Sequence, residues 1–294
     1  MKKFISYIIS ITAILVLMMF ILDIIYTQIY SRSNPRNTFQ YILKTKDIKY
    51  DIVFLGSSRV ASHLDIKLFE SLSNKNAMNF GVNGISLNDN LLQLKLLIDN
   101  NISISEIFLQ IDAEFNYEDA SIVMTTEAMP FLKNKIVKFH FKKYNEDFNY
   151  LYYLPFYRYL IYDPKIGFRE AFFSFFNKNP KIDPKIGFVP KYGSDLSIPR
   201  VLPLTVSERN IILEEIIRIC KKNDIELTLY LSPFCSKVEN KEYLESLKNK
   251  IPSLLDLSEG YDDELFYNCG HLNLQGAQLF TENLYHATLN NELK

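Results

Sequence analysis

Residues 52–59 read Ile52-Val-Phe-Leu-Gly-Ser-Ser-Arg59 and indicate the architecture of the domain. The first four residues are apolar and suit a buried strand, and Gly56-Ser57-Ser58 follows at once. A strand that passes directly into a helix places a serine hydroxyl at the carboxyl edge of a sheet, where a helix N-terminus favours developing negative charge. Serines at this point are also common helix N-caps. The motif alone therefore fits either a nucleophile or a cap.

On both sides of this stretch, short apolar runs alternate with segments of helical periodicity. The predicted strands are 50–55, 77–80, 107–111 and 227–231, and the predicted helices are 64–71, 87–98 and 207–222. Ser207 is the expected N-cap of the last of these helices. Such alternation predicts an α/β fold with a mostly parallel sheet covered by helices on both faces. Ligands of these folds bind at the carboxyl ends of the strands.

Two further polar segments are candidates for the same site. The segment 79–86, Asn-Phe-Gly-Val-Asn-Gly-Ile-Ser, follows the second predicted strand, and its glycines would let backbone amides approach an oxyanion. Turn geometry explains these glycines equally well. Near the C-terminus, Asn268-Cys-Gly-His271 precedes a final helix that is predicted to end near Leu289. A histidine in a polar loop before a helix is placed to act as a general base.

Taken together and in this order, these segments resemble the SGNH (GDSL-like) hydrolase superfamily. The resemblance spans residues 50–289, leaves the middle third unmatched, and implies a flavodoxin-like three-layer sandwich. It makes Ser58 the nucleophile and His271 the base, with Asn268 where the family has the Asp of its triad. It also implies that Gly84 and the Ser58 amide supply the oxyanion hole. No cofactor is implied.

The third block of the family departs from the usual pattern. Where the family has Gly-x-Asn-Asp, this chain has Asp112-Ala-Glu114-Phe, so Asp112 and Glu114 stand at oxyanion-hole positions without the usual donor. Losing one such donor typically costs about 10² to 10³ in rate, and replacing the triad Asp by Asn costs about 10⁴ in a serine protease. Another carboxylate that reached His271, such as Asp262, Asp263 or Asp112, would preserve the base.

The resemblance is nearest to a divergent bacterial branch that is associated with cell-surface glycans and includes exported, singly anchored acyl-transfer proteins. It implies an esterase or O-acyltransferase whose partner is an acylated cell-surface glycan or an acyl donor. The alternative is a catalytically degenerate binding or scaffold protein in envelope glycan assembly. Arg59 and Asn83 are candidate substrate-binding residues. Arg59 and His63 are both candidates to bind a carboxylate or phosphate of the substrate, although an exposed Arg59 and a capping or surface His63 are the favoured alternatives.

The N-terminal segment predicts a membrane anchor. Residues 4–22 form a run of 19 residues without charge, and a helix needs roughly 20 to cross the hydrocarbon core. No small-residue cleavage site follows the run. Lys2 and Lys3 favour a cytoplasmic N-terminus. We therefore expect a single-pass protein of a bacterial inner or cytoplasmic membrane, with an anchor at 1–26, a polar connector at 27–48 and an extracytoplasmic α/β domain at 49–294.

An aromatic-rich insertion at about 117–206 interrupts the α/β pattern. Within it, residues 148–176 contain 13 Phe and Tyr residues, far above the 14% aromatic content of the whole chain. This segment fits a platform for sugar rings or a surface at the bilayer headgroups. We favour a plainer interpretation, in which two aromatic helices pack on the sheet.

Composition excludes several classes of function. With 33 basic and 34 acidic residues, the net charge gives no support to nucleic-acid binding. The chain has neither a Cys-x-x-Cys pair nor clustered histidines, so a metal site has no support in the sequence. Cys220, Cys235 and Cys269 are an odd number of thiols, which leaves room for one disulfide in an oxidising compartment.

Overall fold

The computed structural model describes residues 1–180 and 182–289. The strands are β1 (Lys49–Leu55), β2 (Ala77–Asn79), β3 (Ser103–Gln110), β4 (Glu226–Leu231), β5 (Leu255–Asp256), β6 (Phe266–Asn268) and β7 (His271–Leu272). The helices are α1 (Lys2–Arg32), α2 (Thr38–Lys44), α3 (Ser58–His63), α4 (Ile66–Ser73), α5 (Leu87–Asp99), α6 (Ile122–Ala128), α7 (Lys135–Tyr144), α8 (Phe148–Tyr153), α9 (Tyr157–Ile161), α10 (Asp163–Ile166), α11 (Phe168–Phe175), α12 (Ile211–Lys222), α13 (Glu242–Lys250) and α14 (Leu274–Thr288). Short 3-10 turns lie at Ala113–Asn116, Met129–Phe131 and Asp263–Leu265.

The first five strands form one parallel sheet in the order β2-β1-β3-β4-β5. Val53, Phe54 and Leu55 of β1 are fully buried, as expected where helices cover both faces of a parallel sheet and the strands read as continuous apolar runs. Helix α4 packs on α14, and α12 packs on α5. The predicted α/β class is confirmed, and the four predicted strands coincide with β1 to β4 within a few residues.

Helix α12 begins later than predicted. Asn210, not Ser207, is its N-cap. The Asn210 side chain accepts a hydrogen bond from the Leu213 N–H at 2.8 Å and donates one to the Phe115 carbonyl at 2.9 Å. Asn210 therefore caps the helix and also ties its start to the chain after β3.

Helix α1 continues well beyond the apolar run and joins the folded domain. Residues 27–48 form the end of α1 and the whole of α2, and Tyr30, Phe39 and Ile42 are fully buried. The segment predicted to be a connector therefore packs as part of the core. The segment is polar on average, but the apolar side chains of Tyr30, Phe39 and Ile42 face the domain.

The aromatic insertion packs mainly against α1 and against its own helices, whereas we expected it to pack on the sheet. Helix α11 lies on α1, α9 lies on the turn at Met129–Phe131, and α10 contacts α6. Tyr26 of α1 packs edge-on against Phe156, with ring centroids 5.0 Å apart. The plainer interpretation of the aromatic segment is therefore right about packing and wrong about the partner.

Helix α1 is long and apolar enough to cross a membrane, with a mean hydropathy of 2.8 in its most apolar window and only 6% of that window buried. A signal sequence near an N-terminus meets the same criteria of length and composition. The long apolar N-terminal helix is thus confirmed, as either a membrane span or a signal sequence.

Candidate active site

The turn from β1 into α3 presents Ser58 at the carboxyl edge of the sheet. Gly56 has φ +152°, and a Cβ at this position would lie 2.4 Å from Cγ2 of Val60. Only glycine fits a turn this tight. Ser57 occupies the N-cap position, but within the described structure its side chain does not cap α3. Its hydroxyl donates instead to Oε1 of Gln110 at 3.3 Å.

The β6–β7 hairpin carries the second part of the site, Asn268 and His271. A disulfide between Cys235 and Cys269 joins this hairpin to the segment after β4, and the Cys235 N–H donates to the Cys269 carbonyl at 3.2 Å. The three cysteines of the sequence left room for one disulfide without identifying its partners. The cross-link holds the hairpin against the same sheet edge from which Ser58 projects.

The two predicted side chains meet. Ser58 Oγ lies 2.7 Å from Nε2 of His271, although 213 positions separate the residues. On the other side of the ring, Nδ1 lies 3.0 Å from Oδ1 of Asn268. A serine, an imidazole and an orienting acceptor in this order are the arrangement that activates a serine nucleophile.

The protonation of the imidazole follows from its neighbours. The Gly270 N–H donates to Oδ1 of Asn268 at 3.1 Å, which identifies this atom of the amide as the oxygen. Because that oxygen can only accept, His271 Nδ1 carries the proton and donates to it. Nε2 is then the unprotonated nitrogen, so it faces the Ser58 hydroxyl as a base.

The surroundings of His271 keep it neutral. Burial and the positive charges of Arg59, Lys191 and Arg200 lower the pKa of His271 to about 4. Asp112 acts in the opposite direction and is the weakest of these influences. The imidazole is therefore able to accept a proton at neutral pH, but its cationic form is poorly stabilised.

Within residues 1–180 and 182–289, no carboxylate contacts the His271 ring. The Asp263 carboxylate accepts from the N–H and hydroxyl of Ser236 at 2.8 and 2.6 Å. Asp112 faces Arg59, and Asp262 is exposed. The substitute carboxylate that sequence analysis considered is thus not in place, and Asn268 is the orienting partner.

Arg59 is buried and connects the ends of three strands, which overturns the favoured expectation of an exposed side chain. Its guanidinium pairs with the Asp112 carboxylate beyond β3 and donates to the Pro233 carbonyl beyond β4 at 2.7 Å. It also stacks 3.7 Å above the Phe234 ring. Since Arg59 lies one turn after β1, these contacts fix the relative positions of three loops of the site.

Asp112 and Glu114 line the pocket of Ser58, but their side chains cannot serve as oxyanion donors. The Asp112 carboxylate is occupied by Arg59 and by the Gln110 side-chain amide. Oε2 of Glu114 is buried without a hydrogen-bond partner in the described structure. Carboxylates repel an oxyanion, so the predicted oxyanion role does not fit these two side chains.

Asn83 and Gly84 lie away from this pocket. Both are exposed, and neither is among the described residues that line the space next to Ser58. Asn83 lines a separate cleft with Lys165 and Asp183. The structure therefore brings Ser58, Arg59, Asp112, Glu114, Asn268 and His271 together and leaves Asn83 and Gly84 apart.

His63 of α3 stabilises the β6–β7 hairpin through a hydrogen bond to its backbone. It is fully buried, and its Nε2 accepts a hydrogen bond from the Leu272 N–H at 3.0 Å. Its ring lies edge-on to that of His271, 6.2 Å between centroids. The expectation of a capping or surface histidine is wrong, because the partner is a backbone amide 209 positions away that no local pattern indicates.

The pocket measures about 370 Å³. Besides the residues above, part of the insertion forms its rim, which sequence analysis missed: Asp195, Ser197, Ile198, Pro199 and Arg200. Tyr267, which is 37% exposed, also lines it. Within the described ranges, His, Cys, Asp and Glu side chains form no cluster that could hold a metal ion. Compared with known proteins, the sequence matches no family model and no curated sequence.

Proposed function

We propose that this protein is an SGNH-like serine enzyme that hydrolyses or transfers an acyl ester of a cell-envelope polysaccharide. The observation that carries the proposal is the 2.7 Å contact between Ser58 Oγ and the unprotonated Nε2 of His271, with Asn268 orienting the ring. The strand order β2-β1-β3-β4-β5 is that of flavodoxin-like folds, which supports the three-layer sandwich that the resemblance implies.

Each residue has a defined part in the reaction. Ser58 Oγ attacks the ester carbonyl carbon while its proton passes to Nε2 of His271. When the tetrahedral intermediate collapses, the ester C–O bond breaks and His271 returns the proton to the departing alkoxide. Water or an acceptor hydroxyl then attacks the acyl-Ser58 carbonyl with the same proton movements and regenerates the free serine.

Positive charge compensates in part for the missing oxyanion donors. The N–H groups of the first turn of α3 have no side-chain cap in the described structure, and Ser58 is the first residue of that turn. Arg59, Lys191 and Arg200 create the positive field that already disfavours protonation of His271. The same field stabilises the negative oxygen that forms when Ser58 Oγ adds to the carbonyl carbon of the substrate.

The pocket suits a sugar ester, and the molecule suits export. Tyr267 offers an aromatic face at the rim, as sugar-binding sites commonly do. The Cys235–Cys269 disulfide is typical of proteins outside the cytoplasm. With α1 as an uncleaved anchor, the domain then lies on the extracytoplasmic side of a bacterial inner or cytoplasmic membrane.

A binding or scaffold role in envelope glycan assembly is the second candidate. The observation that favours it is Asn268, which orients the imidazole but supplies no negative charge to stabilise its protonated form.

Ester turnover by the full-length protein in detergent decides between the two roles. The substrates are p-nitrophenyl acetate and an O-acetylated polysaccharide, and the variants are Ser58→Ala and Ser62→Ala. Ser62 is the matched control, because it lies on the same helix and its hydroxyl donates to the Ser58 carbonyl at 2.8 Å, not to the imidazole. We expect Ser58→Ala to abolish turnover and Ser62→Ala to retain it. Equal rates for wild type and Ser58→Ala would favour the scaffold.

A further inference from the structure

A buried ion pair fixes the aromatic insertion to the end of the apolar run of α1. Asp23 is the first charged residue after that run, and its carboxylate accepts from the Arg158 guanidinium at 2.8 and 2.9 Å. It also accepts from the Phe156 N–H at 2.8 Å. Asp23 and Arg158 are only 4% and 2% exposed. The insertion is thus attached at one defined level of α1.

That level corresponds to the surface of a bilayer if α1 spans one. The 19 uncharged residues before Asp23 extend roughly 1.5 Å each, close to the thickness of a hydrocarbon core. Side chains beside Asp23 then lie where the hydrocarbon ends and the headgroups begin. Tyr and other amphipathic aromatic residues are favoured at this depth.

The insertion exposes large apolar side chains near Asp23 and further along α1. Eight of them, each between 45% and 72% exposed, form what we call the seating surface: Tyr153, Leu154, Leu160, Ile161, Phe168, Phe172, Phe175 and Phe176. Tyr153 and Leu154 directly precede the segment that contacts Asp23, and Leu160 and Ile161 directly follow it. A folded domain seldom exposes so many large apolar side chains together unless they meet another apolar surface.

The seating surface is continuous with the membrane-spanning candidate itself. Ile24, Ile25 and Ile29 of α1 and Phe175 of α11 line one apolar groove of about 390 Å³. Arg32 also lines this groove, one turn beyond its apolar part. A groove with apolar walls and a cation suits a lipid acyl chain beneath a phosphate group.

The charge of the surrounding segment indicates the lipid class. Residues 129–180 contain nine Lys and Arg against four Asp and Glu, whereas the chain as a whole has a net charge of -1. Lys178 Nζ lies 4.3 Å from the centroid of the Phe173 ring, and the guanidiniums of Arg36 and Arg169 lie 5.6 and 6.0 Å from it. Phe173 is half-buried and packs against the exposed Phe172, so these cations lie beside the seating surface, where they favour anionic headgroups.

We propose that the seating surface inserts into the interfacial layer of the leaflet from which α1 emerges, and that its partner is an anionic phospholipid bilayer. The domain then rests on the membrane in a fixed orientation and does not swing on a tether. This inference rests on the proposal that α1 spans a membrane, and it is independent of any catalytic activity.

The chain contains no tryptophan, so a single introduced Trp is a clean reporter. The full-length protein is reconstituted into bilayers of phosphatidylglycerol and phosphatidylethanolamine that carry lipids brominated near the headgroup or near the chain end. The reporters are Leu154→Trp and Phe175→Trp on the seating surface and Leu15→Trp on α1. Leu204→Trp, at a position 83% exposed that belongs neither to the seating surface nor to the pocket of Ser58, is the matched control.

We expect headgroup-proximal bromine to quench the Leu154 and Phe175 reporters several-fold more than the Leu204 control, and deep bromine to quench the Leu15 reporter. Quenching at Leu15 with the Leu154 and Phe175 reporters equal to the control would overturn the seating surface while leaving the anchor intact. Absence of quenching at Leu15 would overturn the anchor and the inference together. Reporters that are shielded from both water and lipid would indicate a second copy of the chain, which also contradicts the proposal.

Discussion

Asn268 positions the imidazole of His271 without supplying charge to it. Its oxygen receives both the His271 Nδ1–H and the Gly270 N–H, so the geometry of a triad is retained. The negative charge that normally stabilises an imidazolium during attack is missing. At the residue scale, His271 therefore has the orientation of a general base but lacks the negative charge that would stabilise its cation.

Restoring the carboxylate should increase activity. Asn268→Asp keeps both hydrogen bonds, because a carboxylate oxygen accepts them as the amide oxygen does, and it adds a negative charge beside the ring. We expect kcat to rise at least about tenfold, since the reverse change in a serine protease costs about 10⁴. Steady-state kinetics on an acyl ester measure this. Asn268→Leu, which removes both hydrogen bonds, should lower kcat, and a lower kcat for Asn268→Asp would rule out the base role of His271.

The pH dependence of turnover reports the protonation of His271 directly. A base must be unprotonated, and burial with neighbouring cations lowers the pKa of His271 to about 4. Turnover should therefore stay level from neutral pH downwards and fall only as the pH approaches 4. In Asn268→Asp, the added negative charge raises the pKa and moves this fall to higher pH. A wild-type profile that falls near 6.5, the ordinary histidine value, would show that the imidazole is not held in this environment.

Sequence patterns predicted that Ser58 and His271 would meet, but not the contacts that hold their neighbours in place. Ser58 and His271 each lie at a junction between a strand or loop and a helix, which a local pattern marks. Arg59 and His63 obtain their roles from Pro233 and Leu272, 174 and 209 positions away. Burial of such residues is decided by tertiary packing, and no local periodicity encodes it.

At the scale of elements, the β6–β7 hairpin has too little structure of its own to fix its position at the site. It has only three and two residues in its strands, yet it carries Asn268 and His271. The Cys235–Cys269 disulfide and the His63 contact hold it against the sheet edge. The position of the base therefore depends on supports outside the hairpin.

Removing the disulfide should loosen this hairpin and destabilise the fold. The bond closes a sequence separation of 34 residues, and the loss of such a constraint on the unfolded chain costs roughly 3 to 4 kcal/mol. We expect Cys235→Ser and Cys269→Ser to lower the free energy of unfolding by the same amount, measured by chemical denaturation under oxidising conditions. Cys220→Ala, at the buried free thiol, is the control. Unchanged stability in the first two variants would show that no bridge forms.

Elements with a long apolar run or a clear helical period could be predicted, whereas of the described strands with two or three residues only β2 was predicted. β1, β3 and β4 contain apolar runs that indicate buried strands, and α5 has a clear helical period. β5 to β7 contain two or three residues each, too few for any period to appear. The rim of the pocket, within residues 195–200, has neither helix nor strand, so its place at the site emerges only from the folded chain.

At the scale of the whole molecule, α1 is both the membrane-spanning candidate and a structural part of the domain. Tyr30 donates to the Ile166 carbonyl at 2.9 Å, and Thr27 shares a hydrogen bond of 2.9 Å with the Tyr159 hydroxyl. Together with Asp23 and Arg158, these contacts tie the helix to the insertion. The polar residues of 27–48 predicted a connector, and these partners, more than 130 positions away, leave no local pattern in the sequence.

Breaking the buried ion pair should free the insertion from α1. Asp23→Ala leaves the Arg158 charge buried and unpaired, which costs roughly 3 to 5 kcal/mol. We expect faster hydrogen exchange of the amides in 148–176 of the full-length protein. The double variant Asp23→Leu with Arg158→Met replaces the pair with apolar groups of similar volume and should restore much of the protection. Unaltered exchange in Asp23→Ala would mean that the helix and the insertion are not coupled through this pair.

Covalent labelling with a fluorophosphonate shows whether His271 makes Ser58 a nucleophile. Intact-mass measurement followed by peptide mapping locates the adduct, in wild type and in Ser58→Ala, Ser62→Ala and His271→Gln. We predict one adduct on the Ser58 hydroxyl in wild type and Ser62→Ala, none in Ser58→Ala, and far slower labelling in His271→Gln. A wild-type protein that remains unlabelled, or an adduct that persists in Ser58→Ala, would show that Ser58 is not the nucleophile.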